Sequence, residues 1–515
     1  MKKLFVTSMF ILSLLALVFS NFSMGSLIAY KPTSAAEESV GSTQDPTNLA
    51  QRIQRFENGL LLPNVIKGQP PAKMKLADRM KAHKTPGASI AVINNYKIEW
   101  ARGYGIRDTE SNEAVIPDTL FQAASISKPV TATAVLRLVQ QGKLNLDEDV
   151  NKKLVSWKVP ENEFTRDKKV TIRGILTHTA GFDVFFYDGT PVGELAPTAL
   201  QLLKGEKPAT TPPLQVVYTP GSKYIYTGGG FLVLMQLLVD VTGKPFPQLM
   251  EELVFRPLGM KNSTFEQSLS QNLQPRAAAG VQRGVPVKGK WLIKANMAAG
   301  GLWSTASDLA KFAVELQKAR LGKSKKILTK ETANLMIPPQ EAQISGGDGT
   351  SVKVRGLGIG VMGEGQTIRF NHGGYNTGYR SAMVIFGNGQ GFVILTNGSS
   401  QAILREMMRS VATEYGWAAR EYLPIERTLV SVEPRVLETY AGEYEYPIGR
   451  NPRVSVVSIK NGQLYLDGEP LQAESETRFF GGGEATYTFN KDEKGQVVEI
   501  VDDVIVFKLT AKKIK

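Results

Sequence analysis

The 515-residue chain has no cysteine, and its three histidines, His83, His178 and His372, lie far apart. The first absence excludes disulfides, thiolate metal sites, a cysteine nucleophile and a lipid-modified cysteine. None of the histidines sits in a His-Glu-x-x-His helix, so neither a metal site nor any other cofactor is expected. Acidic residues are outnumbered, 48 against 61 Lys and Arg, for a net charge of +13. Long apolar runs are confined to the N-terminus: Phe231 to Val239 is too short to span a bilayer and ends at Asp240. With 42% hydrophobic and 21% charged residues, the chain reads as folded, neither disordered nor collagen-like. Its length suits a large domain with a smaller one.

Lys2 and Lys3 precede an apolar run from Leu4 to Phe19 that continues, interrupted, to Ile28, with small residues at Ser34, Ala35 and Ala36. This is an export signal in outline, residues 1–36 being either a cleaved signal peptide or a membrane anchor. Loss of Lys2, Lys3 and Lys31 with it lowers the charge by three, to +10. The working part is expected outside the cytoplasmic membrane, touching the membrane only through the leader if that is uncut. A basic exported protein is drawn to anionic wall polymers, while nucleic acid is disfavoured for want of a motif. Plain surface solvation by lysine accounts for the charge equally well.

Residues 37–50 are small and polar, a linker. Ala88 to Ile93, the Asn94-Asn95 turn and Ile98 to Arg102 read as a hairpin. Val130 to Gln141, Phe231 to Val241, a stretch after the capping-box sequence Thr305-x-x-Asp308, and Ala402 to Trp417 read as helices. Ser381 to Phe386 and Phe392 to Thr396 flank a glycine-rich turn. Strands at both ends with helices between predict an antiparallel sheet closed by the two chain segments. After Pro424 short alternating strands around Tyr440 to Leu509 predict a small all-β domain whose aromatics form its core. The expected divisions are 51–420, a linker 421–436, and 437–515.

Ser125-Ile126-Ser127-Lys128 is the one Ser-x-x-Lys in the chain. Pro129 fits only the first turn of a helix, which places Ser125 at a helix N-terminus, where a hydroxyl feels the positive end of the dipole. Lys128, three residues on, returns to the same face. Apolar surroundings would disfavour its charged form and let it take the serine proton. A helix cap followed by an exposed lysine is the plainer alternative. Two further phrases weigh against it: Pro220-Gly221-Ser222-Lys223-Tyr224-Ile225-Tyr226-Thr227-Gly228, before an apolar helix, and Phe370-Asn371-His372-Gly373-Gly374-Tyr375, before the late hairpin.

In this order and at these gaps the three phrases resemble the serine β-lactamase and penicillin-binding-protein superfamily, in the branch of class C β-lactamases, D-Ala-D-Ala carboxypeptidases and related esterases. Ile175-Leu176-Thr177-His178-Thr179-Ala180-Gly181, Arg256-Pro257-Leu258-Gly259-Met260 and Ala299-Gly300-Gly301-Leu302-Trp303-Ser304-Thr305 resemble further landmarks, so the likeness covers roughly Pro86 to Trp417. It implies an α+β fold: an antiparallel sheet flanked by helices, an all-helical subdomain, and here a C-terminal lipocalin-like β domain. It implies Ser125 as acylated nucleophile, Lys128 as its base, Tyr226 as proton shuttle, and His372 in the place of the lysine of Lys-Thr-Gly. The N–H groups of Ser125 and Tyr375, with Gly373 and Gly374 beside them, would form the oxyanion and substrate-binding wall. Gly228 stands where the family motif usually has Asn, which weakens recognition of an amide or assigns it to another group. His178 is expected to be a buried residue holding a loop. The function these residues imply is an exported serine hydrolase acting through an acyl-enzyme on short acyl esters or D-amino-acid-containing peptides. The rivals are a β-lactamase and, in a different class, a non-catalytic cell-envelope binding protein.

Overall fold

The computed structural model describes residues 46–183, 187–337, 356–363, 365–417, 422–446, 452–504 and 507–515. The expected leader lies outside the described residues. Contacts divide the chain into two compact units, Met80–Leu404 and the residues up to Arg79 with Arg405–Lys515.

Apolar strand sequences from the two ends of the first unit meet in one antiparallel sheet. Its strands are β1 (Gly87–Asn94), β2 (Lys97–Asp108), β3 (Glu113–Ala114), β4 (Gly360–Met362), β5 (Arg369–Asn376), β6 (Tyr379–Phe386) and β7 (Gly391–Thr396), in the spatial order β4-β5-β6-β7-β1-β2-β3. The two halves join where β7 pairs β1, with Phe392 opposite Val92 and Ile394 opposite Ile90. β6 and β7 are buried at every residue, which is why they read as continuous apolar runs rather than alternating ones. The expected hairpin is β1 and β2.

Between the halves run the helices α1 (Ser127–Gln140), α2 (Gly228–Thr242), α3 (Met297–Gly300) and α4 (Ala306–Arg320). α4 lies against β1, β2, β6 and β7. The side chain of Thr305 caps it by accepting from Asp308 N. The other half of the expected capping box is missing, because the Asp308 carboxylate accepts from Asn262 N and Lys311 Nζ instead. α2 is buried from Gly228 to Leu238 and stops at Gly243, whose φ of 66° only a glycine adopts cheaply. Each fully buried Leu, Val or Phe on it contributes about 2 kcal/mol of apolar burial. The α+β architecture expected from the strand and helix pattern is the one observed.

In the second unit, Pro46–Asn58 is a helix that starts inside the span expected as linker, with Ile53 and Phe56 buried. Ile425–Arg427, also in an expected linker, forms a strand parallel to Asn64–Ile66. The C-terminal part is one antiparallel sheet whose terminal strands, Glu469–Pro470 and Gln472–Ala473, are separated in sequence by Leu471 alone. The sheet therefore curls until its two ends nearly meet, a barrel-like domain. Its core is aromatic, as expected: Tyr440 stacks on Phe489 at 4.4 Å, with Phe479 edge-on at 5.6 Å.

Arg405 and Arg409, one turn apart on the helix Gln401–Glu414, both bind Glu484, which follows Gly481-Gly482-Gly483. Arg409 and Glu484 are buried, and burial pulls the Arg409 guanidinium down to about 10. Removing one partner of such a pair strands the other without water or counter-charge. Glu484→Ala is therefore expected to destabilise the protein by about 3 kcal/mol in urea unfolding followed by circular dichroism. A loss under about 1 kcal/mol would contradict this account of the pair.

Candidate active site

Ser125 lies in a short 3-10 turn, Ala124–Ile126, that runs directly into α1, with Pro129 inside the first turn of the helix. From Phe121 to Val130 every residue but Ser125 is buried. The turn is strained: Ala124 has a φ of 50°, a left-handed conformation uncommon for a residue with a Cβ.

Four contacts pin the turn. Ala123 N donates to Leu302 O at 2.8 Å, and Ser381 Oγ donates to Ala123 O at 2.8 Å. Ser127 Oγ donates to Ala124 O at 2.6 Å and accepts from Leu302 N at 3.0 Å. Gly374 completes the clamp: a Cβ there would stand 2.5 Å from Ala123 O and 2.1 Å from Ser381 Oγ. β4 pairs β5 only as far as Gly360 opposite Asn371. Beyond it, the stretch from His372 to Asn376 is free to run beside the turn.

Lys128 is 2% exposed. Its Nζ donates to Ser125 Oγ at 3.2 Å and to Ala299 O, on α3, at 2.8 Å. It also lies 4.8 Å from the centre of the Tyr226 ring and 5.5 Å from that of Phe231. A cation over aromatic faces is attracted by the ring quadrupole. The Tyr226 ring lies 6.4 Å from that of His372, and His372 Nδ1 is 2.7 Å from Gly373 O. The structure thus brings Ser125, Lys128, Tyr226 and His372 together, with Gly373, Gly374 and Tyr375 on the strand carrying His372. Tyr375 is held by Gln282 Nε2, which donates to its Oη at 3.2 Å, and by the Arg380 guanidinium 4.1 Å from its ring centre.

Tyr224, the other tyrosine of the Pro-Gly phrase, meets His178 edge-on at 5.9 Å, whereas the Tyr226 ring lies against His178 at 4.4 Å. His178 is buried with a φ of 60°. Its Nδ1 accepts from Thr227 N at 3.2 Å, and its carbonyl accepts from Ile225 N at 2.8 Å. It grips the residues on both sides of Tyr226, the loop-holding role its sequence context suggested.

Gly228 is the first residue of α2, and its carbonyl accepts from Asn296 Nδ2 at 2.8 Å. Two contributions were not foreseen in the sequence: the carbonyl of Ala299 and the amide of Asn296. Ala299 lies in a phrase flagged as a landmark, but a carbonyl acceptor has no residue-type signature. Nearby, Lys294 is 4% exposed, and burial lowers its ammonium to about 8 against the opposing pull of Asp188. Among the described residues no group of His, Asp and Glu could hold a metal ion, and no helix is long and apolar enough to cross a membrane.

The sequence profile of the Beta-lactamase family matches residues 73–412. The protein called Protein flp, from Staphylococcus aureus (strain MW2), is 27% identical over 216 residues, 41% of this chain and 41% of its own length. Esterase EstB from Burkholderia gladioli is 30% identical over 194 residues, 36% of this chain and 48% of its own. The chain thus spans under half the length of these curated relatives. The structure of the octameric penicillin-binding protein homologue from Pyrococcus abyssi superposes with a TM-score of 0.58 at 22% identity, over 85% of this chain and 98% of that one.

The clamp on the Ser125 turn leaves no room for a methyl group at Gly374. Gly374→Ala is expected to slow labelling of Ser125 by a fluorophosphonate about 100-fold. The accompanying loss of stability should be only about 1–3 kcal/mol. A labelling rate within about threefold of the parent would contradict the clamp.

Proposed function

The chain belongs to the Beta-lactamase family, and we propose that it is an exported serine hydrolase forming an acyl-enzyme on Ser125, with short acyl esters or D-amino-acid-containing peptides as substrates. The observation that carries the proposal is the 3.2 Å contact between Lys128 Nζ and Ser125 Oγ in a buried setting. In its neutral form Lys128 takes the hydroxyl proton as Ser125 Oγ bonds to the acyl carbonyl carbon. The carbonyl oxygen becomes an oxyanion, for which the N–H groups of Ser125 and Tyr375 serve as donors. Gly374 against Ala123 and Ala124 supports that reading by setting the β5 strand beside the nucleophile turn. The bond to the leaving group then breaks, and the leaving group departs with a proton delivered through Tyr226, which lies between Lys128 and His372. Water, giving a proton to the same groups, bonds to the acyl carbon; the bond from that carbon to Ser125 Oγ then breaks, the proton passes back to Ser125 Oγ, and the carboxylic acid leaves.

Export is supported by the sequence from Lys2 to Ala36, and the excess of positive charge suits a location among anionic wall polymers. The test is the intact mass of the protein after brief exposure to a penicillin and, separately, to an activated short-chain ester, each beside Ser125→Ala. An adduct or ester turnover that disappears in Ser125→Ala is expected. Rapid recovery from the penicillin adduct would move the substrate to β-lactams. No adduct and no turnover in folded protein would overturn the enzymatic reading in favour of a binding protein.

A further inference from the structure

We infer that the loop from Leu321 to Lys330 is a docking surface for an anionic phospholipid bilayer, held to it by Lys323, Lys325, Lys326 and Lys330. For the choice of partner the inference rests on the export reading, and it stands apart from the acyl-transfer chemistry.

The segment Lys318–Lys330 carries six basic residues among thirteen and no acid, against 61 basic and 48 acidic residues in the whole chain. Lys318 and Arg320 occupy the last turn of α4, where cations answer the negative end of the helix. The four lysines beyond it have no such reason to be there. All four are exposed, and among the described residues none of them forms an ion pair. Other surface lysines are paired with acids, Lys169 with Glu161 and Lys288 with Glu194. A face that serves solubility alone mixes the two signs.

The loop is fixed at several points. Gly322 turns the chain with a φ of 73°, and the stem of Lys330 lies over it, 3.3 Å from where a Cβ would stand. Ile327 and Leu328 are buried. Glu315, 4% exposed, accepts from Ser324 Oγ at 2.8 Å and from Lys326 N at 3.2 Å, so this acid is spent on holding the backbone of the loop. Thr329 N donates to Gln140 Oε1, at the end of α1, at 2.8 Å. Lys323 Nζ lies 5.1 Å from the centre of the Tyr96 ring. Glu331, exposed beside Lys330 and in the field of Lys325, offsets one charge of the four.

A loop ordered in this way presents its cations with little further entropy to lose. An anionic leaflet attracts such segments, each lysine being worth about fivefold in partitioning. No aromatic side chain stands between 318 and 330 on which bases could stack, which disfavours nucleic acid. The N-terminal sequence favours the bilayer: Lys2, Lys3 and the apolar run from Leu4 to Phe19 are a segment that enters a membrane whether or not it is later cut. A basic patch is the usual second signal beside such a segment.

The test mixes the full chain with vesicles of phosphatidylcholine alone or with added phosphatidylglycerol. Acetylation of each lysine by an N-hydroxysuccinimide ester is then followed by peptide mass mapping. The four lysines are expected to be protected at least about fivefold on the anionic vesicles only. The protection should vanish at about 1 M NaCl, where the screening length is about 3 Å. In the folded double variant Lys325→Glu/Lys326→Glu, Lys323 and Lys330 should be labelled within about twofold of their rate on phosphatidylcholine. Protection is read at these lysines, so a leader that inserts into both kinds of vesicle does not mimic it. A chain that is never exported would still show it, which keeps failure of export distinct from failure of docking. Equal labelling on the two kinds of vesicle, or protection that survives the salt, would overturn the inference. Protection by soluble poly(glycerol phosphate) and not by the vesicles would overturn it in favour of a wall polymer.

Discussion

The site depends on where one ammonium group is held. Lys128 Nζ is shared between a hydroxyl on its own helix and a carbonyl on α3, with the Tyr226 and Phe231 rings beside it. Burying a lysine costs its charge the water around it, and the hydroxyl, the carbonyl and the ring faces offset part of that loss. On the proposed reading this lysine acts on Ser125, and the surrounding structure is arranged to keep it there.

Those arrangements are steric as much as polar. The turn carrying Ser125 departs from relaxed backbone at Ala124, and strain of this kind persists only where neighbours over-determine it. Here the neighbours are Leu302, Ser127, Ser381 and the bare Cα of Gly374. On the opposite wall His178, itself left-handed, holds the backbone of Ile225 and Thr227 on either side of Tyr226. The central sheet contributes β5, the rigid edge against which the turn is pressed. Catalytic geometry resting on rigid elements tolerates little displacement.

Much of this was legible in the sequence. Ser-x-x-Lys before a proline announced a serine and a lysine on one helical face. The β1–β2 hairpin, α2 with its terminal Gly243 and a small all-β domain with an aromatic core were equally plain from periodicity and turn residues, while the barrel form was implied by the family resemblance. What stayed hidden was made by distant contacts or by backbone. The acceptor from Ala299 is a carbonyl, and Asn296 meets Gly228 across 68 residues. The helix from Pro46 was obscured by its polar setting, although Ile53 and Phe56 at helical spacing marked its buried face. Ile425–Arg427 was read as linker because a three-residue strand leaves no periodicity to detect, and Arg427 is secured there by Asn64 and Thr486.

The most direct measurement is the rate constant for acylation of Ser125 by an activated ester in Lys128→Ala beside the parent, at matched folded concentration. If the neutral amine of Lys128 is what makes Ser125 a nucleophile, the variant acylates about 100- to 10,000-fold more slowly, the usual worth of a positioned base. A rate within about threefold of the parent would contradict the account and require another group to take the proton.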